Sequence, residues 1–428
     1  MAGDPFIMVP RDAADRMLQA EDNSGDLAIT HLPSEELYVV TRIELRSGAR
    51  IPVNIATRYQ TLKWTGTEYA GQWFRRPMEH INLAHLDILR RPGAAIPLET
   101  FRSWVPGVDD PGNAMGLVIT IDPDLTEEQR RARAREFAGW IVTRDGVHPI
   151  DVAVEPEQIG LQQLADKWPL DSLSHDTVMV VGLGSIGGSA AEQLAAMGVG
   201  QTLLVDPDRF LWHNEVRHVL DSRHVGRLKV DAMKTYLCDH WPQVVQALPV
   251  DVVNAADLIR PLMEQVDLVL CAADGIAPRR IISHLAKRAG RPSIHACVLN
   301  DGGIGEILRL RPGPRFGCLL CHRAHLAATG GIDPEADQEL EYGTGLTHKP
   351  MTATPTDLHL VGTLAAKVAV ATLLEGKHGH PFSLPGEHAV LGLRSGQELA
   401  APFDAAAVGA VTWHDIPGPR PDCATCAT

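Results

Sequence analysis

Aromatic residues make up only 5% of this 428-residue chain, and basic residues are outnumbered: 39 Lys and Arg against 53 Asp and Glu, a formal net charge of -14. A surface that tracks phosphate backbones and stacks bases needs the opposite on both counts, so no nucleic-acid partner is expected. The N-terminus, Met-Ala-Gly-Asp-Pro-Phe-Ile, lacks the basic patch and apolar run of a secretory signal. The longest apolar stretch, Leu360 to Leu374, is broken by Lys367 and is too short to span a bilayer; it reads as a buried helix. Seven cysteines are too few for a disulfide framework at this length. Neither an internal repeat nor a low-complexity tract is visible. The expectation is a cytoplasmic protein with no membrane contact, and the 45% hydrophobic share suits a full core.

The length suits two domains. A polar stretch from Glu155 to Asp176, punctuated by Pro156 and Pro169, sets the expected division: an α+β domain over 1–155, a linker over 156–175 and a second domain over 176–428. In the first domain, Leu37 to Leu45 reads as a strand that turns at Ser47-Gly48 and returns over Ile51 to Ala56. Leu117 to Ile121 is another strand. Thr126 and Gln129 have capping-box spacing for a helix that Gly139 would close. Trp140 to Thr143 and Ile150 to Val154 form a hairpin about Asp145-Gly146.

From Thr177 short apolar strands alternate with helical patterns: Thr177 to Val181, Ile186 to Met197, Thr202 to Val205, Val266 to Cys271, a helix ending at Gly290, then Ser293 to Val298. That alternation predicts an α/β class, a Rossmann-like and mostly parallel sheet with helices on its faces. Gly198 fits a left-handed C-cap. Between the first strand and first helix lies Gly182-Leu183-Gly184-Ser185-Ile186-Gly187-Gly188. Gly182, Gly184 and Gly187 permit a tight turn and close approach of phosphate, and the helix N-terminus then meets the anion. Asp206 follows the next strand, where an acid takes ribose hydroxyls. Taken this far, an NAD-dependent oxidoreductase is the ordinary expectation.

The residues that follow point elsewhere. The run Gly182-x-Gly184, Gly198-Val199-Gly200, Asp206-x-Asp208, Asn214-x-x-Arg217-His218, Gly226-x-x-Lys229, together with Leu270-Cys271-Ala272-Ala273-Asp274, closely resembles the ThiF/MoeB/ubiquitin-activating (E1-like) family. The resemblance covers about the last 250 residues. It implies ATP-dependent adenylation of the C-terminal carboxylate of a ubiquitin-like protein or a Gly-terminated peptide. Asp206 would hold the ribose, with Asn214, Arg217 and Lys229 on the phosphates, Asp208 among the nucleotide-binding residues and Asp274 holding Mg²⁺. His218 stands where glutamine is usual and Gly275 where asparagine is usual. A homodimer and an E2-like partner also follow from the resemblance, and the added N-terminal domain points to a bacterial ubiquitin-like conjugation system. The residue types suit the chemistry independently. A carboxylate attacking the α-phosphate brings two anions together, which Arg217 and Lys229 offset and an Asp274-held Mg²⁺ completes. A non-catalytic E1-like scaffold is the alternative, disfavoured because Arg217, Lys229 and Asp274 are kept.

Cys318-x-x-Cys321 and Cys423-x-x-Cys426 supply the four thiolates of a closed Zn²⁺ site that would staple the tail to its domain. The span from His322 to Pro355, read as a flexible crossover loop, contains no cysteine, so adenylation is expected without an assigned thioester cysteine. Cys238, Cys271 and Cys297 read as core thiols, Cys297 being the one worth testing as a nucleophile. The N-terminal domain faintly resembles JAB-type isopeptidase domains, but the His-x-His and downstream Asp of an active one are absent. An inactive, partner-docking role is the expectation.

Overall fold

The computed structural model describes residues 5–32, 36–45, 48–53, 66–157, 160–331, 352–381, 383–395, 399–405 and 407–427. The chain forms two compact units, Met1–Ile159 and Gly160–Thr428.

In the first unit the elements run β1 (Phe6–Val9), α1 (Arg11–Gln19), β2 (Ser24–Leu32), β3 (Leu37–Leu45), β4 (Arg50–Pro52), β5 (Thr67–Arg75), α2 (Ile81–Leu89), α3 (Leu98–Trp104), β6 (Gly116–Ile121), α4 (Glu127–Arg131), β7 (Phe137–Thr143) and β8 (Gly146–Val154). The sheet order is β1-β8-β7-β6-β5-β2-β3-β4, and β1 also pairs with β3. The sheet therefore curls until its edges meet, around Ile7, Ile29, Ile43, Trp73 and Ile119, all fully buried. β3 and β4 make the hairpin expected from the sequence; of its returning arm, residues 54–56 lie outside the described residues. Thr126 and Gln129 do form a capping box, but the helix stops at Arg131. Gly139 lies inside β7 instead of closing that helix. A Cβ there would fall within 2.9 Å of Val152, Ile150 and Ile7 side chains, so strand packing, not a cap, demands the glycine.

The second unit runs α5 (Leu170–Ser174), β9 (Thr177–Val181), α6 (Ser185–Ala196), β10 (Gln201–Val205), α7 (Trp212–Glu215), α8 (Lys229–His240), β11 (Val244–Leu248), α9 (Ala256–Leu262), β12 (Leu268–Cys271), α10 (Ile276–Arg288), β13 (Ser293–Leu299), β14 (Ile304–Leu310), α11 (Leu319–Ala328), α12 (Pro355–Gly376), β15 (His388–Gly392) and β16 (Val411–His414). Its sheet order is β11-β10-β9-β12-β13-β14-β15-β16. The first five strands are parallel; four of them were read from the sequence, and β11 joins them as an edge strand that was not. The last three continue the sheet antiparallel. Gly198 takes the expected left-handed conformation, φ +97°.

Two readings are corrected here. The stretch taken as a linker belongs in its second half to this unit: Leu173 is fully buried, and Trp168 Nε1 donates to the Met197 carbonyl at 2.8 Å. The stretch taken as a crossover loop from 322 begins as α11, because His322 and Leu326 bury one face of a helix. Residues 332–351, which include Tyr342 to Gly345, lie outside the described residues. The apolar run Leu360 to Leu374 lies within α12, capped by the Thr354 side chain with Pro355 in its first turn. By length and hydropathy α12 could cross a membrane, yet most of it packs into the core of this unit. Gly362 lets it approach α6 so closely that a Cβ would sit 2.5 Å from the Ile186 oxygen.

Candidate active site

The glycine loop leaves the C-terminal end of β9, and Asp274 follows its sheet neighbour β12. Connections from β9 and β12 run to opposite halves of the sheet, and the crevice between them is where ligands of such sheets settle. Gly182 has φ +82°, and a Cβ on it would lie 2.5 Å from the Ala273 nitrogen. A Cβ on Gly187 would lie 1.8 Å from the Gly182 oxygen. These two glycines serve backbone packing. Gly184 differs, for nothing lies within 4 Å of where its Cβ would be. It caps α6 with no side-chain hydrogen bond, which leaves the first-turn N–H groups and the positive helix end for an anion.

A cavity of about 470 Å³ opens at this point. Gly182, Gly184, Asp206, Asp208, Asn214, Arg217, Lys229 and Asp274 all line it. Gly187, assigned to the nucleotide from sequence, stands behind the wall and shapes the loop. Lys229, buried at the start of α8, places Nζ 2.8 Å from Asp208 Oδ2 and 3.8 Å from Asp206 Oδ1. Burial opposes its charge, but the two carboxylates outweigh burial and lift its pKa above the usual lysine value. Crowding by the cleft walls raises the Asp274 carboxyl against the pull of Lys229 and then Arg217, although the residue itself is exposed to the cavity.

Asp206 has a local task. Its Oδ2 accepts from the Leu183 N–H at 2.6 Å and its Oδ1 from the Asp208 N–H at 2.8 Å, so both oxygens hold the glycine loop. Asp206 is 5% exposed, whereas the Asp208 side chain is 39% exposed and open to the cavity. Asn214 Oδ1 accepts from the Leu211 N–H and caps α7. The Arg217 guanidinium faces the cavity without a hydrogen bond to any described residue, while its carbonyl meets His359 Nε2 at 2.9 Å. His218, the departure from glutamine, binds the Leu183 carbonyl through Nε2 at 2.8 Å and accepts from the Leu220 N–H at Nδ1. Burial pushes its pKa down to about 4. A neutral ring with a fixed tautomer therefore ties the Arg217 segment to the glycine loop.

The far wall was not read from the sequence. Asn300, Asp301 and Gly302 form a turn of three successive positive φ values, 50°, 52° and 79°, and line the cavity with Asp251, Thr352 and Ala353. The Asn-Asp-Gly-Gly cluster after an apolar strand carried a turn signal, but nothing that tied it to this pocket. Cys297 also lines the cavity, and its thiol donates to Glu306 Oε2 at 3.6 Å. Cys271 is fully buried in the core, and burial pushes its thiol up to about 11; Cys238 is exposed.

The two Cys-x-x-Cys pairs meet. Cys318 and Cys321 Sγ atoms are 3.9 Å apart, Cys318 and Cys423 3.5 Å, Cys321 and Cys426 3.9 Å, and all four lie within 4.8 Å of one another. A tetrahedron with Zn–S bonds of about 2.3 Å has edges of roughly 3.8 Å, so the set fits that ion. The Arg420 N–H points at Cys321 Sγ from 3.4 Å, as outer partners of a metal thiolate do.

Residues 156–382 match the sequence profile of the ThiF family. The chain is similar to "Adenylyltransferase and sulfurtransferase uba4" of Emericella nidulans, 33% identical over 168 residues, which covers 37% of this chain and 34% of that protein. It is 27% identical over 173 residues to "Adenylyltransferase and sulfurtransferase MOCS3" of Drosophila persimilis, covering 40% of this chain and 37% of that one. The chain thus spans little more than a third of the length of these curated relatives. Among solved structures it is similar to the microcin C7 biosynthetic enzyme MccB in complex with N-formylated MccA. That likeness, at a TM-score of 0.45 and 21% identity over 60% of this chain and 69% of that one, is too weak to bear on mechanism.

Proposed function

The chain belongs to the ThiF family, and on that premise we propose that it is an ATP-dependent adenylyltransferase acting on the C-terminal carboxylate of a ubiquitin-like protein or a Gly-terminated peptide. The observation that carries the reading is the convergence of Gly184, Asp208, Asn214, Arg217, Lys229 and Asp274 on one cavity beside an uncapped helix N-terminus. Relatives named as adenylyltransferases support it.

Each group has a physical task. The open space at Gly184 and the first turn of α6 receive phosphate oxygens. Asp208, the accessible acid, takes the ribose hydroxyls, a role the sequence reading centred on Asp206. Asp274, exposed on the cavity wall with Asp206 and Asp208 acting on it, suits a bound Mg²⁺, which would supply charge neutralisation for the departing pyrophosphate. The substrate carboxylate oxygen attacks the α-phosphorus, the bond from that phosphorus to the bridging oxygen breaks, and pyrophosphate leaves. No proton moves, so no general base is needed. Lys229 and Arg217 stabilise the charge that builds on the phosphoryl oxygens. Zn²⁺ in the four-thiolate cluster belongs to the same proposal as a structural staple without a chemical step. So does a homodimer, for which Trp212 (73% exposed) and Val216 (65% exposed) are the apolar side chains beside Arg217 that a second copy would cover. A partner-docking role for the first unit and, separately, an E2-like partner for the chain belong to the same proposal.

The test is pyrophosphate–ATP exchange with a Gly-terminated peptide or small ubiquitin-like protein as substrate. Exchange that needs that carboxylate and falls with Asp274→Ala supports the proposal. Failure to bind ATP, or cofactor fluorescence changes on titration with NADH, would overturn it.

A further inference from the structure

Behind the cavity wall lies a second buried cluster that the adenylation chemistry does not use. Glu306 stands on β14, His388 on its neighbour β15, and His322 in the first turn of α11, one residue beyond Cys321. Their exposures are 0%, 0% and 2%. One carboxylate oxygen and one nitrogen from each ring lie within 4.8 Å of one another.

Both ring nitrogens of His322 and both of His388 lack a hydrogen-bond partner among the described residues. A neutral imidazole always presents one N–H and one lone pair, so two such rings leave donors and acceptors without a protein partner in a buried interior. Groups of this kind in a native fold call for an occupant. The contact between His388 Nε2 and Glu306 Oε1, 3.1 Å long, is without the orientation of a hydrogen bond. It does have the length of an edge between two ligands of one ion, because metal–N and metal–O bonds of about 2.0–2.1 Å give ligand–ligand edges of roughly 2.9–3.4 Å.

The carboxylate has room for such an ion. Glu306 offers about four lone-pair sites. Arg323 takes one on each oxygen, through Nη1 at 2.6 Å on Oε1 and through Nη2 on Oε2. Arg279 takes another on Oε2 at 3.2 Å, where the Cys297 thiol also points. What is left is one site on Oε1, the oxygen turned towards His388. The arginines then act as outer partners that fix the carboxylate's rotamer, as second-shell groups of metal sites do. They also lower its donor strength, which makes this a weaker site than four thiolates.

We propose that Glu306, His322 and His388 form a second metal site, which takes one first-row divalent ion of the Zn²⁺ class through two imidazoles and a carboxylate. Its burial makes it structural. It pins the β14–β15 pair to the helix that begins at the first cysteine pair, so two ions, one on each side of the Cys321–His322 peptide, anchor the same helix turn.

The test counts metal in the full-length protein. After equilibration with Zn²⁺ and dialysis into metal-free buffer, mass spectrometry of the metal should give two ions per chain. One should remain in His322→Gln and in His388→Gln, and one in the double variant Cys423→Ser/Cys426→Ser. Asp274→Ala should keep both. With Co²⁺ in place of Zn²⁺, the near-ultraviolet thiolate charge-transfer band should persist in both histidine variants and vanish in the cysteine variant. Where a histidine variant does not fold, staged chelator release from the wild type decides, with two phases expected and the first free of thiolate signal. A wild-type count of one, a single release phase, or two ions retained in both histidine variants overturns the site and leaves a bridging water as the occupant.

Discussion

The ammonium of Lys229 rests 2.8 Å from Asp208 Oδ2, across 21 residues of chain. The cation proposed for phosphate is thus paired with the acid proposed for ribose. The neighbouring Asp206 spends its oxygens on the Leu183 and Asp208 N–H groups. The two acids should consequently fail differently. Asp208→Asn should raise the KM for ATP with little change in melting temperature. Asp206→Asn should weaken the loop's anchorage and cost about 1–3 kcal/mol of stability. Exchange kinetics and thermal melts of the two variants read this contrast; equal behaviour would contradict it.

Two glycines two residues apart should separate folding from binding. Gly182 has a left-handed φ and a Cβ clash with Ala273, so Gly182→Ala should lower the melting temperature and ATP binding together. A methyl group on Gly184 meets no protein atom. Gly184→Ala should therefore melt within a degree or two of wild type yet lose much of its ATP affinity, since the added carbon fills the space left for phosphate. Calorimetric titration and melting curves test the pair.

His218 makes a pH prediction. Burial lowers its pKa from 6.5 to about 4, so between those values the unfolded chain binds a proton that the folded chain refuses. Stability contributed by the neutral ring is full above about pH 6.5 and falls as pH drops towards 4, by up to about 3 kcal/mol. His218→Gln, whose amide can still donate to the Leu183 carbonyl, should flatten that part of the profile. Denaturant midpoints of both proteins across pH 4–7 give the difference directly.

Metal removal at the cysteine cluster should free the tail. Cys423 and Cys426 close a loop of about 100 residues back onto Cys318 and Cys321. Chelation, or Cys423→Ser/Cys426→Ser, should lower the melting temperature and expose residues beyond Pro417 to protease. The nucleotide cavity should remain, because none of the four cysteines lines it. Limited proteolysis with ATP titration distinguishes a staple from a catalytic metal.

Much of the second unit was legible because its signals are local. Four strands, β9, β10, β12 and β13, are buried on both faces and read as short apolar runs, whereas β11 at the sheet edge is partly exposed and was not read. The glycine loop, Asp206-x-Asp208 and the cysteine pairs carry their chemistry in residue type and spacing. What escaped was non-local. Gly139 reads as a cap in sequence and turns out to be a site of strand crowding. The turn at Asn300 to Gly302 gives no hint that it faces Gly182, and the closure of the first sheet through β1 and β3 joins strands whose pairing no periodicity encodes.

By itself the sequence determined the list of actors: which glycines free the backbone, which charges suit a triphosphate, which four thiols can share an ion. Spacing along a chain fixes such things because turns, caps and helix faces depend on neighbours a few residues away. Only the tertiary structure decided the division of labour, giving Asp206 to the loop, Asp208 to the cavity and Gly187 to the wall behind it. Distances between groups far apart in sequence are set by how the sheet and helices pack, and that packing is a property of the whole core.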